Sequence, residues 1–311
     1  MSGSFAVLVM AYGGPDNMQD LEAYLLDVRH GRPLPPPALA ELKRRYELIG
    51  GRSPILAHTR AQALQLRAAL AALGGGVEVY FGMRHWHPFL EEVALDLVAD
   101  GVQRLVGLVM APHYSRMSIE QYYERLQKAL AAAGAAIEVE RIDSWKDDPG
   151  LLVVLMERIQ HGLGRFPAER LGSVELIFTA HSLPERILTW DDPYPHELQV
   201  TFQALRQAFP AHNTHFAYQS AAMTPDPWLG PDVGQLVDER LGEGVREFLV
   251  VPIGFVSEHV EILYDLDIDL RQRIEAGGGH FERTEMPGAD PRLMASLASR
   301  VRTAASARGW L

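Results

Sequence analysis

The firmest constraint on this chain is a rhythm. Short apolar runs, rich in β-branched residues, recur at residues 5–12, 77–83, 105–112 and 137–142. They recur again at 174–180, 214–220, 247–253 and, more weakly, 280–285. Longer amphipathic stretches separate them, for example 89–100, 118–133, 151–162 and 236–241. Apolar strands without polar alternation belong in sheets covered on both faces, and strands alternating with helical periods mark βαβ units. The expected fold class is α/β, with two similar Rossmann-like, doubly wound parallel sheets, one in each half.

The polar segment SWKDDP at 144–149 marks the boundary, giving an amino-terminal domain over 1–145 and a carboxy-terminal domain over 146–285. The tail 286–311, with a helical pattern over 291–308, could pack on either half and complete the first domain. Residues 30–37, with four prolines, read as a non-helical loop near a cleft.

In doubly wound folds ligands sit beyond the carboxyl ends of the strands. Those ends are polar here: Tyr12, His85, His113, His181, Gln219 and Ser257. The run LIFTAHSLP carries His181 out of a buried strand and then breaks sharply, although a strand-end histidine is more often structural. In VVPIGFVSEHVEILYDLDIDLRQRI a strand gives way to a helix for which Ser257 is the expected cap. Glu258, Glu261, Asp265 and Asp269 then follow at spacings of 3, 4 and 4, on one side of that helix. Such a row of like charges disfavours a helix unless solvent or a cation relieves it.

One imidazole and one carboxylate, His181 and Glu261, would suit ferrous iron held loosely. His181 could equally take protons at neutral pH, and both roles stay open. Tyr12 lies in a glycine turn after the first strand, and a phenolate is a known axial donor to tetrapyrrole iron. Arg29, Arg45, Tyr46, Ser53 and Tyr122 supply donors that would suit several carboxylates on one ligand.

Other chemistries are disfavoured. A net charge of −11, from 40 acidic and 29 basic residues, repels nucleic acid and anionic membranes. With no cysteine there is no disulfide, thiolate metal site or cysteine-ligated iron–sulfur cluster. AYGGP lacks the spacing of a dinucleotide fingerprint. No Lys or Arg precedes Arg29, and the apolar run 248–256 falls far short of the roughly 20 residues of a spanning helix, so a cytoplasmic location is expected.

With these residues in view, the chain resembles the ferrochelatase family along almost its whole length. The resemblance rests on LVMAYGGP, KRRYELIGGRSPI, APHYS, FTAHSLPE, DPYP, QSAAMTPDPWLGPD and VPIGFVSEHVEILYDLD, in the family's order and spacing. It implies two Rossmann-like domains around a porphyrin cleft and insertion of Fe2+ with release of two pyrrole protons. His181 and Glu261 would be the catalytic, metal-binding pair, and Asp265 and Asp269 candidates for an iron path. The tyrosine of AYG resembles the coproporphyrin III branch, with Tyr12 ligating product iron. Arg29, Arg45, Tyr46, Ser53 and Tyr122 would hold propionates, with Tyr123 an alternative to Tyr122. The resemblance implies no cofactor beyond substrate Fe2+, no iron–sulfur cluster, no nucleic acid partner, no stable membrane insertion, and transient contact with neighbouring haem-pathway enzymes. The rival readings are a protoporphyrin IX ferrochelatase, cobalt insertion into a precorrin-like ring, a noncatalytic tetrapyrrole carrier, and an unrelated two-lobed binding protein.

Overall fold

The structure is a computed structural model that describes residues 5–74, 76–222 and 226–311. Met223, Thr224 and Pro225, inside the QSAAMTPDPWLGPD motif, lie outside the described residues. Strands form where the apolar runs lie: β1 (Ala6–Ala11), β2 (Glu78–Met83), β3 (Arg104–Val109), β4 (Glu138–Ile142), β5 (Val174–His181), β6 (Thr214–Gln219), β7 (Glu247–Pro252) and β8 (His280–Arg283). They make two four-stranded sheets, ordered β2-β1-β3-β4 and β6-β5-β7-β8. Every pairing in both sheets is parallel.

The order of one sheet repeats in the other, and so does its burial. β1 and β7 are buried at every residue, because helices cover both faces of a central strand. β4, at an edge, has one buried residue. In each sheet the chain winds one way from the founding strand and then the other, which opens a crevice between β1 and β3 and between β5 and β7.

The helix Pro149–Leu163 starts where the SWKDDP segment ends, and Asp148 caps it by accepting from the Gly150 amide at 2.9 Å. The last helix, Pro291–Ala307, buries Leu293, Met294, Leu297, Ala298, Val301 and Ala305 along one face and packs mainly on the helices Ile55–Ala72 and Pro149–Leu163. Through these helices one apolar cluster runs unbroken from Val7 and Val9 of the first sheet to Leu249 and Val251 of the second. The two sheets thus share a core across the expected boundary. The proline-rich loop ends at Pro35, where the helix Pro36–Leu48 begins with prolines in its first turn, a position that needs no amide hydrogen.

The acidic segment after β7 departs from the expected single helix. Ser257 is not a cap: its hydroxyl accepts from Gln62 Nε2 at 3.0 Å. A short helix begins at Val260 with His259 in the cap position, and a π-helical turn over Asp265–Leu270 follows. The Asp269 amide donates to the Tyr264 carbonyl at 2.9 Å, so the turn is wider than an α-helix and its faces are rotated. Glu258 therefore stands off the helix, bonded to Arg283 at 3.2 Å, and the four acids do not form one stripe.

Candidate functional site

The crevices of the two sheets face a common cavity of about 300 Å3. From the first sheet come Tyr12 after β1 and Met110, Ala111 and His113 after β3; from the second come His181 on β5 and the segment Gly254–Glu261 after β7. Two glycines permit this approach. Gly13, at φ +95°, turns the chain where a Cβ would meet the Trp86 amide nitrogen at 2.9 Å. At Gly254 a Cβ would lie 2.8 Å from that of Ala180, so only glycine lets the end of β7 press on β5 beside His181.

His181 Nδ1 lies 2.8 Å from Glu261 Oε2, and each side chain is 30% exposed. Both backbones are fixed as well: the Tyr194 hydroxyl donates to the His181 carbonyl at 2.9 Å, and Gln219 Nε2 donates to the Glu261 carbonyl at 2.9 Å. Burial opposes a charged imidazole, yet the charge and hydrogen bond of Glu261 outweigh it and raise the His181 pKa. Burial likewise pushes Glu261 upward, and His181 pulls it below the usual carboxylate range. With Nδ1 directed to the carboxylate, Nε2 of His181 remains for a metal ion or a pyrrole hydrogen.

His259, which is not among the polar strand ends, contributes a second imidazole. Its Nδ1 lies 3.0 Å from the Ser257 carbonyl and its Nε2 4.0 Å from Glu261 Oε2. Its position two residues before Glu261 was the available signal. Behind Glu261, the Ser220 hydroxyl donates to Asp265 Oδ2, and Arg45 Nη1 lies 3.3 Å from Asp265 Oδ1. Burial and the nearby charge of Glu261 push the Asp265 pKa up to about 6, against the pull of Ser220 and Arg45. Among the described residues no three His, Asp or Glu side chains gather as a metal cage.

The opposite wall is hydroxylic and aromatic. Tyr12, Tyr46, Ser53 and Tyr122 line the same cavity as His181 and Glu261, so six of the ten expected side chains converge. Tyr12 is 38% exposed to that cavity, and poor hydration there pushes its phenol up to about 12 despite the nearby Arg84. Its ring packs 4.6 Å from that of His85, which Asp27 holds at 2.7 Å. The other four lie elsewhere. Arg29 is exposed and bonds the Arg32 carbonyl at 3.1 Å, and Asp269 is exposed. Arg45 is engaged by Glu41 at 2.9 Å and by Asp265, over the Tyr264 ring at 4.7 Å. Tyr123 is a core residue, its hydroxyl on the Gly107 carbonyl at 2.8 Å, so Tyr122 is the one that faces the cavity. Arg84, directly after β2, also lines the cavity and was missed.

Fold and site together define a two-sheet α/β protein that sets a hydrogen-bonded imidazole–carboxylate pair beside an aromatic wall in one cleft. Comparison with known proteins makes this particular. The chain belongs to the ferrochelatase family, whose model matches residues 4–305. The protein named Ferrochelatase in Herpetosiphon aurantiacus is 39% identical over 292 residues, covering 94% of this chain and 96% of that one. The Coproporphyrin III ferrochelatase of Geobacillus thermodenitrificans is 42% identical over 300 residues, covering 95% and 94%. Among solved structures, SirB from Bacillus subtilis with Fe3+ aligns with a TM-score of 0.62 over 98% of both chains at 12% identity, a likeness of fold. The activity is insertion of a metal into a porphyrin, a lyase reaction of haem biosynthesis with porphyrin and iron as substrates. Among the described residues no helix is long and apolar enough to cross a membrane.

Proposed function

We propose that the protein inserts Fe2+ into coproporphyrin III to give Fe-coproporphyrin. The observation that carries this is the pairing of walls: Tyr12 from the first sheet and His181 with Glu261 from the second line one cavity. A flat ring between them would meet a phenol on one side and the metal-handling pair on the other. The ion would pass from Asp269 at the surface by Asp265 to Glu261 and His181. The two displaced protons need acceptors: the His181 imidazole, whose hold on a proton the charge of Glu261 strengthens against the effect of burial, and Asp265, pushed up to about 6. Tyr12 would be the axial ligand of the product iron through its phenol oxygen, and its proton would pass to water, to which the side chain is 38% exposed. Tyr46, Ser53 and Tyr122 would hold propionates, with Arg29 and Arg45 drawn in from their present positions. Several curated relatives with the coproporphyrin name, at 37–42% identity, support the reading.

On this reading the enzyme needs no resident cofactor or iron–sulfur cluster, works in the cytoplasm, and passes its product on through transient contact with neighbouring haem-pathway enzymes. The test is anaerobic insertion of Fe2+ into coproporphyrin III and protoporphyrin IX, followed by visible absorption. We expect kcat/KM at least about tenfold higher for coproporphyrin III, the worth of one charge-assisted hydrogen bond. Equal or reversed preference would overturn the substrate assignment while leaving the metallation chemistry in place.

A further inference from the structure

A second cavity, of about 380 Å3, opens beside the first, and Arg84 lines both. Its charge runs against that of the molecule. The chain carries −11, whereas this cavity is lined by the cations Arg84, Arg125 and Lys128 against the carboxylates Asp27 and Glu124. One of those carboxylates is already satisfied: Asp27 lies 2.7 Å from His85 Nδ1 and 2.8 Å from Arg125 Nη1, and Arg125 also reaches Glu91 at 2.8 Å. Arg84 and Lys128 form no ion pair among the described residues.

Arg84 is held without being neutralised. Its carbonyl accepts from Arg125, and its guanidinium packs over the rings of Tyr12 at 5.9 Å and Tyr122 at 5.5 Å. Stacking of this kind orients the planar fork and leaves its edge donors available. A half-buried guanidinium without a counter-ion is costly, and the ligand that relieves it best is a carboxylate, which matches the fork in two parallel hydrogen bonds.

We propose that the second cavity is a carboxylate chamber that receives a side arm of the porphyrin, with Arg84 as its anchor and Lys128 at its outer rim. The inference rests on the reading of the ligand as a carboxylate-rich porphyrin and extends it by a subsite. The aromatic cavity takes the ring, and the cationic chamber takes an arm that would otherwise lie against the acidic second wall. Arg84 stands on the partition, so it contacts the macrocycle edge and the carboxylate together.

The test is titration of metal-free full-length protein with coproporphyrin III by porphyrin fluorescence, comparing wild type with Arg84→Met, Arg84→Lys and Lys128→Met. Methionine keeps the apolar stem over the tyrosines and removes the charge. We expect Arg84→Met to weaken binding about tenfold, Lys128→Met about twofold to threefold, and Arg84→Lys to fall between wild type and Arg84→Met. Added salt should weaken wild type more than Arg84→Met. A competing arm with succinate asks whether a free dicarboxylate is the true occupant: tight binding of succinate that leaves porphyrin affinity unchanged would overturn the proposal. So would wild-type affinity in both methionine variants, or an Arg84→Lys protein as weak as Arg84→Met alongside an unaffected Lys128→Met, which would mark a packing role. Failure of the parent reading looks different: wild type would not metallate coproporphyrin III, yet its binding of that porphyrin would still depend on Arg84.

Discussion

The two sheets share a strand order and present opposite chemistries to one cavity. The first delivers Tyr12, Tyr46, Ser53 and Tyr122, groups that are neutral at physiological pH, together with the guanidinium of Arg84, and burial holds the Tyr12 phenol near 12. The second delivers His181, His259 and Glu261, with Asp265 behind them, all of which titrate or carry charge. A repeated scaffold thus supplies two switch-point crevices, and side-chain choice divides the work. On the proposed function the hydroxylic wall, with Arg84 at its edge, holds the ring, and the titratable wall carries the cation and accepts the protons that it displaces.

The sharpest way to break this division is to strip the second wall. His181→Ala or Glu261→Ala should lower iron insertion by about a thousandfold, within the range for loss of a positioned acid–base or metal-handling group. Coproporphyrin affinity should change by less than about threefold, because the ring is held from the other side. Anaerobic turnover and porphyrin fluorescence read the two effects separately. Loss of porphyrin binding in step with turnover would mean that the walls do not divide the work.

A smaller effect tests the charge behind the wall. Asp265 has a folded pKa of about 6 against its ordinary 3.8, so the folded state binds that proton more tightly than the unfolded state. Its contribution to stability is most favourable below the ordinary value and is lost as pH rises towards and past 6. Asp265→Asn cannot ionise, so its stability relative to wild type should be about 2 kcal/mol higher at pH 8 than at pH 4.5. Urea unfolding of chelated protein at the two pH values measures this, and a pH-independent difference would show that Asp265 is not held in its acidic form by the fold. Iron insertion by the same variant should slow several-fold, since stability gained at a functional site is generally accompanied by lost activity.

The contrast between the walls also governs what could be read from the residues alone. Eight strands were legible because continuous apolar runs have few alternatives, His181 stood out as a polar strand end, and Glu261 came from the row of acids on the expected helix. Convergence of Tyr46, Ser53 and Tyr122 on the cavity was not derivable from spacing and came from resemblance. Arg45 was read as a ligand donor, yet it is engaged by Asp265 across the cleft, a partner 220 residues away. Arg84 gave no signal, since what marks it is the absence of a partner. The acidic segment misled for a local reason: the spacing of 3, 4 and 4 assumes α-helical turns, and the π-helical turn over Asp265–Leu270 and the extended His259 break that period.

Glu258 gives the finest test of that correction. Were the acids one continuous stripe, Glu258→Gln would impair iron delivery much as Asp265→Asn does. Its carboxylate instead lies 3.2 Å from Arg283, which Asp267 also grips at 2.7 Å, so Glu258 faces a cation rather than the route to Glu261. Burial raises its pKa even with Arg283 beside it, so the neutral amide is a mild replacement. We expect KM for Fe2+ to change by less than about twofold, with a stability loss of about 1 kcal/mol from the weakened bond to Arg283. A slowing of iron insertion matching that of Asp265→Asn would restore the continuous row and extend the titratable wall outward beyond His259.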